Sequence, residues 1–159
     1  MQKIFHFAAQ REQYRCDAAI VWCFDNRFET VFRKFLKRSG ISVSDPIRVA
    51  GGAKSLAMPE NDPDREFVIE QIRKSIRLHK TTRVILMVHS DCGAYGGLEY
   101  FNGDARAEAE HHQRELSCAA ANLNEAIPGL RIETYFMDFE GVWSTVQEPP
   151  TATMSASDG

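Results

Sequence analysis

Apolar and polar positions alternate along the chain in a way that separates strands from helices. Ala18 to Phe24 (AAIVWCF) is a nearly continuous apolar run with β-branched and aromatic content, and Arg83 to His89 (RVILMVH) is a cleaner one. Ile47 to Ala50 is shorter, and Arg131 to Phe139 (RIETYFMDF) makes a fourth. Runs that are apolar on both faces belong in a parallel sheet covered by helices on each side. Between them the apolar spacing becomes helical. Over Glu29 to Arg38 it places Val31, Phe32, Phe35 and Leu36 on one face, with Gly40 following as the C-cap. Asp62 as N-cap and Pro63 at the first helical position open a second helix, through Phe67, Ile69, Ile72 and Ile76 towards Lys80. A longer one runs from about Asp104 to Ile127, where Pro128 and Gly129 stop it. The pattern predicts an α/β fold: a mostly parallel central sheet of about four strands, flanked by helices and joined by right-handed crossovers.

The 159 residues suit one domain, expected over 1–147, with a tail over 148–159 whose Pro-Pro and polar composition predicts disorder. A net charge of -3, with Lys and Arg interleaved among acids, gives no electrostatic footprint for nucleic acid. No apolar run approaches the roughly 20 residues that span a bilayer, so no membrane partner is expected. The first residues lack the apolar core and cleavage site of a signal peptide, and the expectation is a cytoplasmic protein. In a reducing compartment its four cysteines suggest metal ligands or buried small side chains before disulfides.

In open parallel sheets, sites form just beyond the carboxyl ends of the strands. The first strand runs into Cys23-Phe24-Asp25-Asn26-Arg27, and the third into His89-Ser90-Asp91-Cys92-Gly93. If the two strands are neighbours, Cys23 converges on His89 and Cys92. The H-x-x-C spacing lets one tight turn present an imidazole and a thiolate to the same ion, and Gly93 keeps that turn permissive. Two sulfurs and a nitrogen suit tetrahedral zinc, and three protein ligands leave a fourth position open. The competing reading makes both cysteines buried small side chains and His89 a hydrogen-bonded core residue.

Cys-x-Asp-x-Arg after one strand and His-x-x-Cys-Gly after a later one resemble the zinc signature of β-carbonic anhydrases. Arg48-Val49-Ala50-Gly51-Gly52 resembles the Arg-Asn-Ala-Gly segment those enzymes carry between the two, and the likeness covers roughly residues 18 to 97. The resemblance implies that fold, Cys23, His89 and Cys92 as Zn2+ ligands, and Asp25 and Arg27 as the carboxylate–guanidinium dyad beside the metal. It implies reversible hydration of carbon dioxide to bicarbonate by a metal-bound hydroxide, which Asp25 orients. It also implies a homodimer or higher homo-oligomer, because family active sites usually lie at a dimer interface. In some members the matching aspartate swings onto zinc and closes the site. Two thiolates neutralise the zinc dication, so its water should be less acidic than the value of about 7 reached with His-only ligation. Hydration activity is therefore expected to rise above neutral pH; a flat rate between about pH 6 and 9, with chemistry limiting, would contradict this.

Two alternatives share these residues: hydrolysis of carbonyl sulfide or carbon disulfide, and a non-catalytic zinc-stabilised binding or regulatory module. Asn26 stands where the family often has Ser, and Val49 where it usually has Asn, which removes a polar contact near the metal. Asp91 is expected to cap or support the motif rather than touch metal. Gly51-Gly52 and Gly96-Gly97 read as turn glycines. His111 and His112, on the long polar helix, are expected to be solvated, and His79 to sit at a helix C-terminus. Cys16 and Cys118 read as structural or incidental. Phe24, Phe28, Phe32 and Phe35 read as core or dimer interface, and Tyr95 as a pocket wall.

Overall fold

Strand β1 (Ala18–Trp22) and strand β3 (Arg83–His89) lie side by side at the centre of a five-stranded sheet. The computed structural model describes residues 1–145. The expected disordered tail lies outside the described residues. From edge to edge the order is β2 (Ser44–Arg48), β1, β3, β4 (Arg131–Met137) and β5 (Val142–Ser144). The first four are parallel, and β5 returns antiparallel along β4. The chain winds from β1 out to β2 on one side and from β3 out to β4 on the other. The reversal of strand order therefore falls between β1 and β3, where such sheets leave a crevice at their carboxyl ends.

Both faces of the central strands are buried, which is why they read as unbroken apolar runs. One face carries Ala19, Val21, Val84, Leu86 and Val88 against helices α2 (Lys54–Ala57), α3 (Pro63–His79) and α4 (Ala105–Ala126). The other carries Ile20, Trp22, Ile85 and Met87 against Phe28 and Phe32, the latter from helix α1 (Glu29–Arg38). Helix ends fall where side chains cap them. Asp62 accepts the N–H groups of Asp64 and Arg65 with Pro63 at the first helical position, and Asp104 accepts those of Arg106 and Ala107. Each such cap contributes about 1 kcal/mol.

Three departures from the sequence pattern have local causes. The second strand begins at Ser44 and contains Pro46, which reads as a breaker but is tolerated at a sheet edge. It ends before Val49-Ala50 because Gly51 and Gly52 take φ of +75° and +58° and turn the chain back. The fifth strand is only three residues long, too short for a periodic signal. Gly52 is obligatory: a Cβ there would stand 2.2 Å from the Met87 carbonyl oxygen and 3.1 Å from the Cys23 nitrogen. The loop after β2 thus presses its bare backbone against the ends of β1 and β3. Among the described residues, no helix is long and apolar enough to cross a membrane.

Candidate metal centre

The carboxyl ends of β1 and β3 bring Cys23, His89 and Cys92 together, with one ligand atom of each lying within 4.8 Å of the others. All three are buried. Cys23 stands one residue past β1, and His89 closes β3. Cys92 begins the 3-10 turn Gly93–Tyr95, where its carbonyl accepts the N–H groups of Tyr95 at 2.9 Å and Gly97 at 3.0 Å. Among the described residues, no other group of three His, Cys, Asp or Glu side chains is gathered in this way.

His89 carries the sharpest indication of a ligand. Its Nδ1 lies 2.8 Å from the Ser90 carbonyl oxygen, which can only accept, so Nδ1 holds the ring proton. Nε2 is then a bare lone pair, and it is buried without a hydrogen-bond partner. An orphaned buried acceptor costs about 1–3 kcal/mol unless something occupies it. Trp22 and Phe28 pack their rings on the imidazole at 5.5 and 4.7 Å and keep it dry. The two thiols push each other's pKa in opposite directions. The neighbouring Cys92 thiol lowers Cys23, helped by His89 and by the backbone N–H groups of Asp25 and Gly51, while the nearby Cys23 and burial raise Cys92. Two sulfurs, one imidazole nitrogen and no carboxylate among the gathered atoms fit zinc.

Asp25 and Arg27 form the polar wall. Arg27 donates from Nε to both Asp25 oxygens at 3.1 and 3.0 Å and from Nη2 to Oδ2 at 2.7 Å. It also donates from Nη1 to Asp91 Oδ2 and from Nη2 to the Asp91 carbonyl, each at 2.8 Å. Asp25 Oδ2 faces the centre, 3.9 Å from His89 Nε2. The Arg27 guanidinium holds the Asp25 carboxyl below the usual carboxylate range, with backbone donation from Arg27 helping. Asp91 touches no cluster sulfur in the hydrogen-bond network; it receives Arg27 and the N–H of Leu98.

The four phenylalanines separate. Phe28 and Phe32 are core, Phe35 is partly buried, and Phe24 is 63 % exposed. Phe24 and Val49 line a cleft of about 340 Å3 with Phe67 and Arg48. Tyr95 packs against Cys23 and Cys92. His79 ends α3 as expected, but its Nδ1 also meets Asp45 Oδ2 at 2.8 Å. Cys16 is buried and Cys118 exposed, and all four cysteines are free.

The expected solvation of the histidine pair is wrong for His112, which is 0 % exposed. It lies under Tyr95 and Phe136, with ring centroids at 4.5 and 5.4 Å, and 3.8 Å from Glu108 Oε1. Glu108, not singled out from the sequence at all, is 1 % exposed. Both were legible. The buried stripe of α4, Leu116, Ala119 and Leu123, extends backwards at helical spacing onto His112 and Glu108.

Burial, with the charges of His111 and His89, pushes His112 down from 6.5 to about 4. In the unfolded chain the same group takes its proton first as pH falls, so the unfolded state binds more protons between those values. Stability should therefore drop by about 3 kcal/mol as pH falls from about 6.5 to about 4. Urea unfolding of wild type and His112→Leu across that window checks this. The variant should lose that part of the slope, and an unchanged slope would refute it.

Comparison with known proteins gives a consistent result. A family profile described as "Putative carbonic anhydrase" matches residues 13–147. An uncharacterized protein of Rickettsia bellii is 25 % identical over 132 residues, covering 81 % of this chain and 80 % of that protein. The solved carbonic anhydrase of Streptococcus mutans superposes with a TM-score of 0.59 at 18 % identity, covering 89 % of this chain and 88 % of its own. A β-carbonic anhydrase of Trichomonas vaginalis gives 0.56 at 15 % identity, with the same coverages. At these identities the two structures establish likeness of fold.

Proposed function

The chain belongs to this carbonic anhydrase family, and from that premise we propose that it reversibly hydrates carbon dioxide to bicarbonate and a proton. Cys23, His89 and Cys92 would hold zinc as the resident cofactor. The observation that carries the reading is the buried, unpartnered Nε2 of His89 gathered with two thiols beside a fixed carboxylate. Zinc bound there would lower the pKa of a water molecule and make it a nucleophile, with two thiolate ligands placing that activity above neutral pH.

The chain's own side chains do the rest. Arg27 fixes Asp25 through its planar fork, so that Oδ2 faces the centre in one orientation. Held ionised by that guanidinium, Asp25 is an acceptor whose Oδ2 would take a hydrogen bond from a water or hydroxide at the centre and orient it. Ser90 supports His89 from behind through its carbonyl, fixing the tautomer that leaves Nε2 free. Trp22 and Phe28 pack on the imidazole and hold its ring in place.

The reading includes a homodimer. Phe24 and Phe67, 63 % and 56 % exposed, flank the cleft next to Cys23, and a second copy would cover them. It also includes a reducing, cytoplasmic setting, in which the four free cysteines stay unpaired.

Stopped-flow hydration of carbon dioxide, on protein whose zinc content is determined in the same sample, tests the proposal. Zinc near one per chain with hydration well above the buffer rate is the expected result. Zinc at that level without hydration between about pH 7 and 9 would refute the reaction and leave carbonyl sulfide or carbon disulfide to be tried.

A further inference from the structure

We propose that Glu108 is a positioning residue for the Asp25–Arg27 dyad, acting through the backbone of Asp91. The proposal rests on the reading above that the dyad serves the metal centre. Glu108 sits in the first turn of α4, where its N–H bonds to the carbonyl of the cap residue Asp104 at 3.0 Å. Its side chain is 1 % exposed, and an acid buried so deeply needs a partner that justifies it. That partner is the Asp91 N–H, donated to Glu108 Oε1 at 2.7 Å across 17 residues of chain.

Asp91 is an uncommon place for such an anchor. It takes φ of +52°, a left-handed conformation that a residue with a Cβ adopts only when its surroundings impose it. Two bonds impose it here. The N–H of Ser90 is tied to the Met137 carbonyl of β4 at 2.9 Å, and the N–H of Asp91 is tied to Glu108 of α4. Held this way, Asp91 offers Arg27 its carbonyl and its Oδ2, each at 2.8 Å, while Oδ1 receives the Leu98 N–H at 3.0 Å. Arg27 is thereby held by Asp91 along its Nη1–Nη2 edge, next to the Nε–Nη2 edge that holds Asp25. The chain of contacts runs from Glu108 to the Asp91 backbone, to Arg27, to Asp25, to the mouth of the cluster.

Burial raises the Glu108 carboxyl above the usual range, although the Asp91 N–H opposes the shift. Ionised or protonated, the side chain still offers Asp91 an sp2 oxygen. An amide in its place preserves that acceptor, whereas alanine removes it.

The test is hydrogen exchange by NMR on the full, zinc-loaded chain, read at the Asp91 amide and the Arg27 Nε–H. In Glu108→Ala both should exchange at least about tenfold faster than in wild type, as the loss of one buried hydrogen bond implies. In Glu108→Gln both should stay within about threefold of wild type. If Glu108→Ala does not fold, Glu108→Met, which fills the volume without an acceptor, is read in its place. Faster exchange at Asp91 with Arg27 unchanged would overturn the proposal, because the anchor would then stop at the turn. So would equal losses in the Gln and Ala variants. Neither readout requires turnover, so a chain that fails to hydrate carbon dioxide would sink the proposed function and leave this result to be judged alone.

Discussion

Replacing Cys92 with alanine should weaken zinc binding by about a hundredfold to a thousandfold and reduce carbon dioxide hydration to the buffer rate. The size follows from the ligand set. Zinc sites of four protein ligands are worth about 10–16 kcal/mol, so one thiolate carries about 2.5–4 kcal/mol, a factor of about a hundred to a thousand at 1.4 kcal/mol per tenfold. The fold should survive. Cys92 holds its turn through its backbone carbonyl, which accepts from Tyr95 and Gly97, and its side chain makes no cap. Removing a buried sulfur from the small cluster of Cys23, Tyr95 and Ala94 should cost about 1–2 kcal/mol. Zinc retained after dialysis against a competing chelator, measured beside urea unfolding, separates the two effects. A variant that keeps stoichiometric zinc would remove Cys92 from the ligand set.

Arg27→Ala should lower hydration about a hundredfold while leaving zinc in place. Arg27 makes five side-chain hydrogen bonds, three to the Asp25 carboxylate and two to Asp91. Without them Asp25 keeps only the Arg27 backbone N–H, donated at 2.9 Å to Oδ1, and Oδ2 is free to rotate. Misplacing a group that orients a reactant by about 1 Å can cost about a hundredfold. The cost in stability should be small, under about 1 kcal/mol, because the Arg27 side chain is nearly half exposed and solvent screens the pair. Arg27→Lys should not restore activity, since a single ammonium cannot span Asp25 and both Asp91 acceptors. Stopped-flow rates on zinc-replete variants decide this. Wild-type rates in Arg27→Ala would remove the dyad from the account.

The parts of the molecule that follow one physical rule were readable from the chain. Strand β3 and helix α1 have the bounds their apolar periods predict, because a strand buried on both faces and a helix with one apolar stripe advertise themselves. Strand β2 was displaced because Pro46 is forbidden in central strands and allowed at an edge, and edge position is a property of the assembled sheet. The convergence of Cys23 with His89 and Cys92 depended on the adjacency of β1 and β3, which the pairing of Ala19, Ile20 and Val21 with Val84, Ile85 and Leu86 supplies. His112 and Glu108 escaped because polar residues on a helix are first assigned to solvent. Their burial became readable only by carrying the apolar stripe of α4 back through its polar first half. Phe24 reads as core or dimer interface from its type; it lies beyond the last strand residue, Trp22, and its exposure takes it out of the core and leaves the interface reading.

Cys23, His89 and Cys92 are proposed to hold zinc and leave one position open, and X-ray absorption at the zinc edge of the purified chain tests this ligand set. Two sulfur neighbours at about 2.3 Å, one imidazole nitrogen at about 2.0–2.1 Å and one further light atom are expected. One sulfur neighbour should disappear in any Cys92→Ala protein that can be forced to bind metal. A shell of four sulfurs, a shell with none, or a chain that takes up no zinc would contradict it.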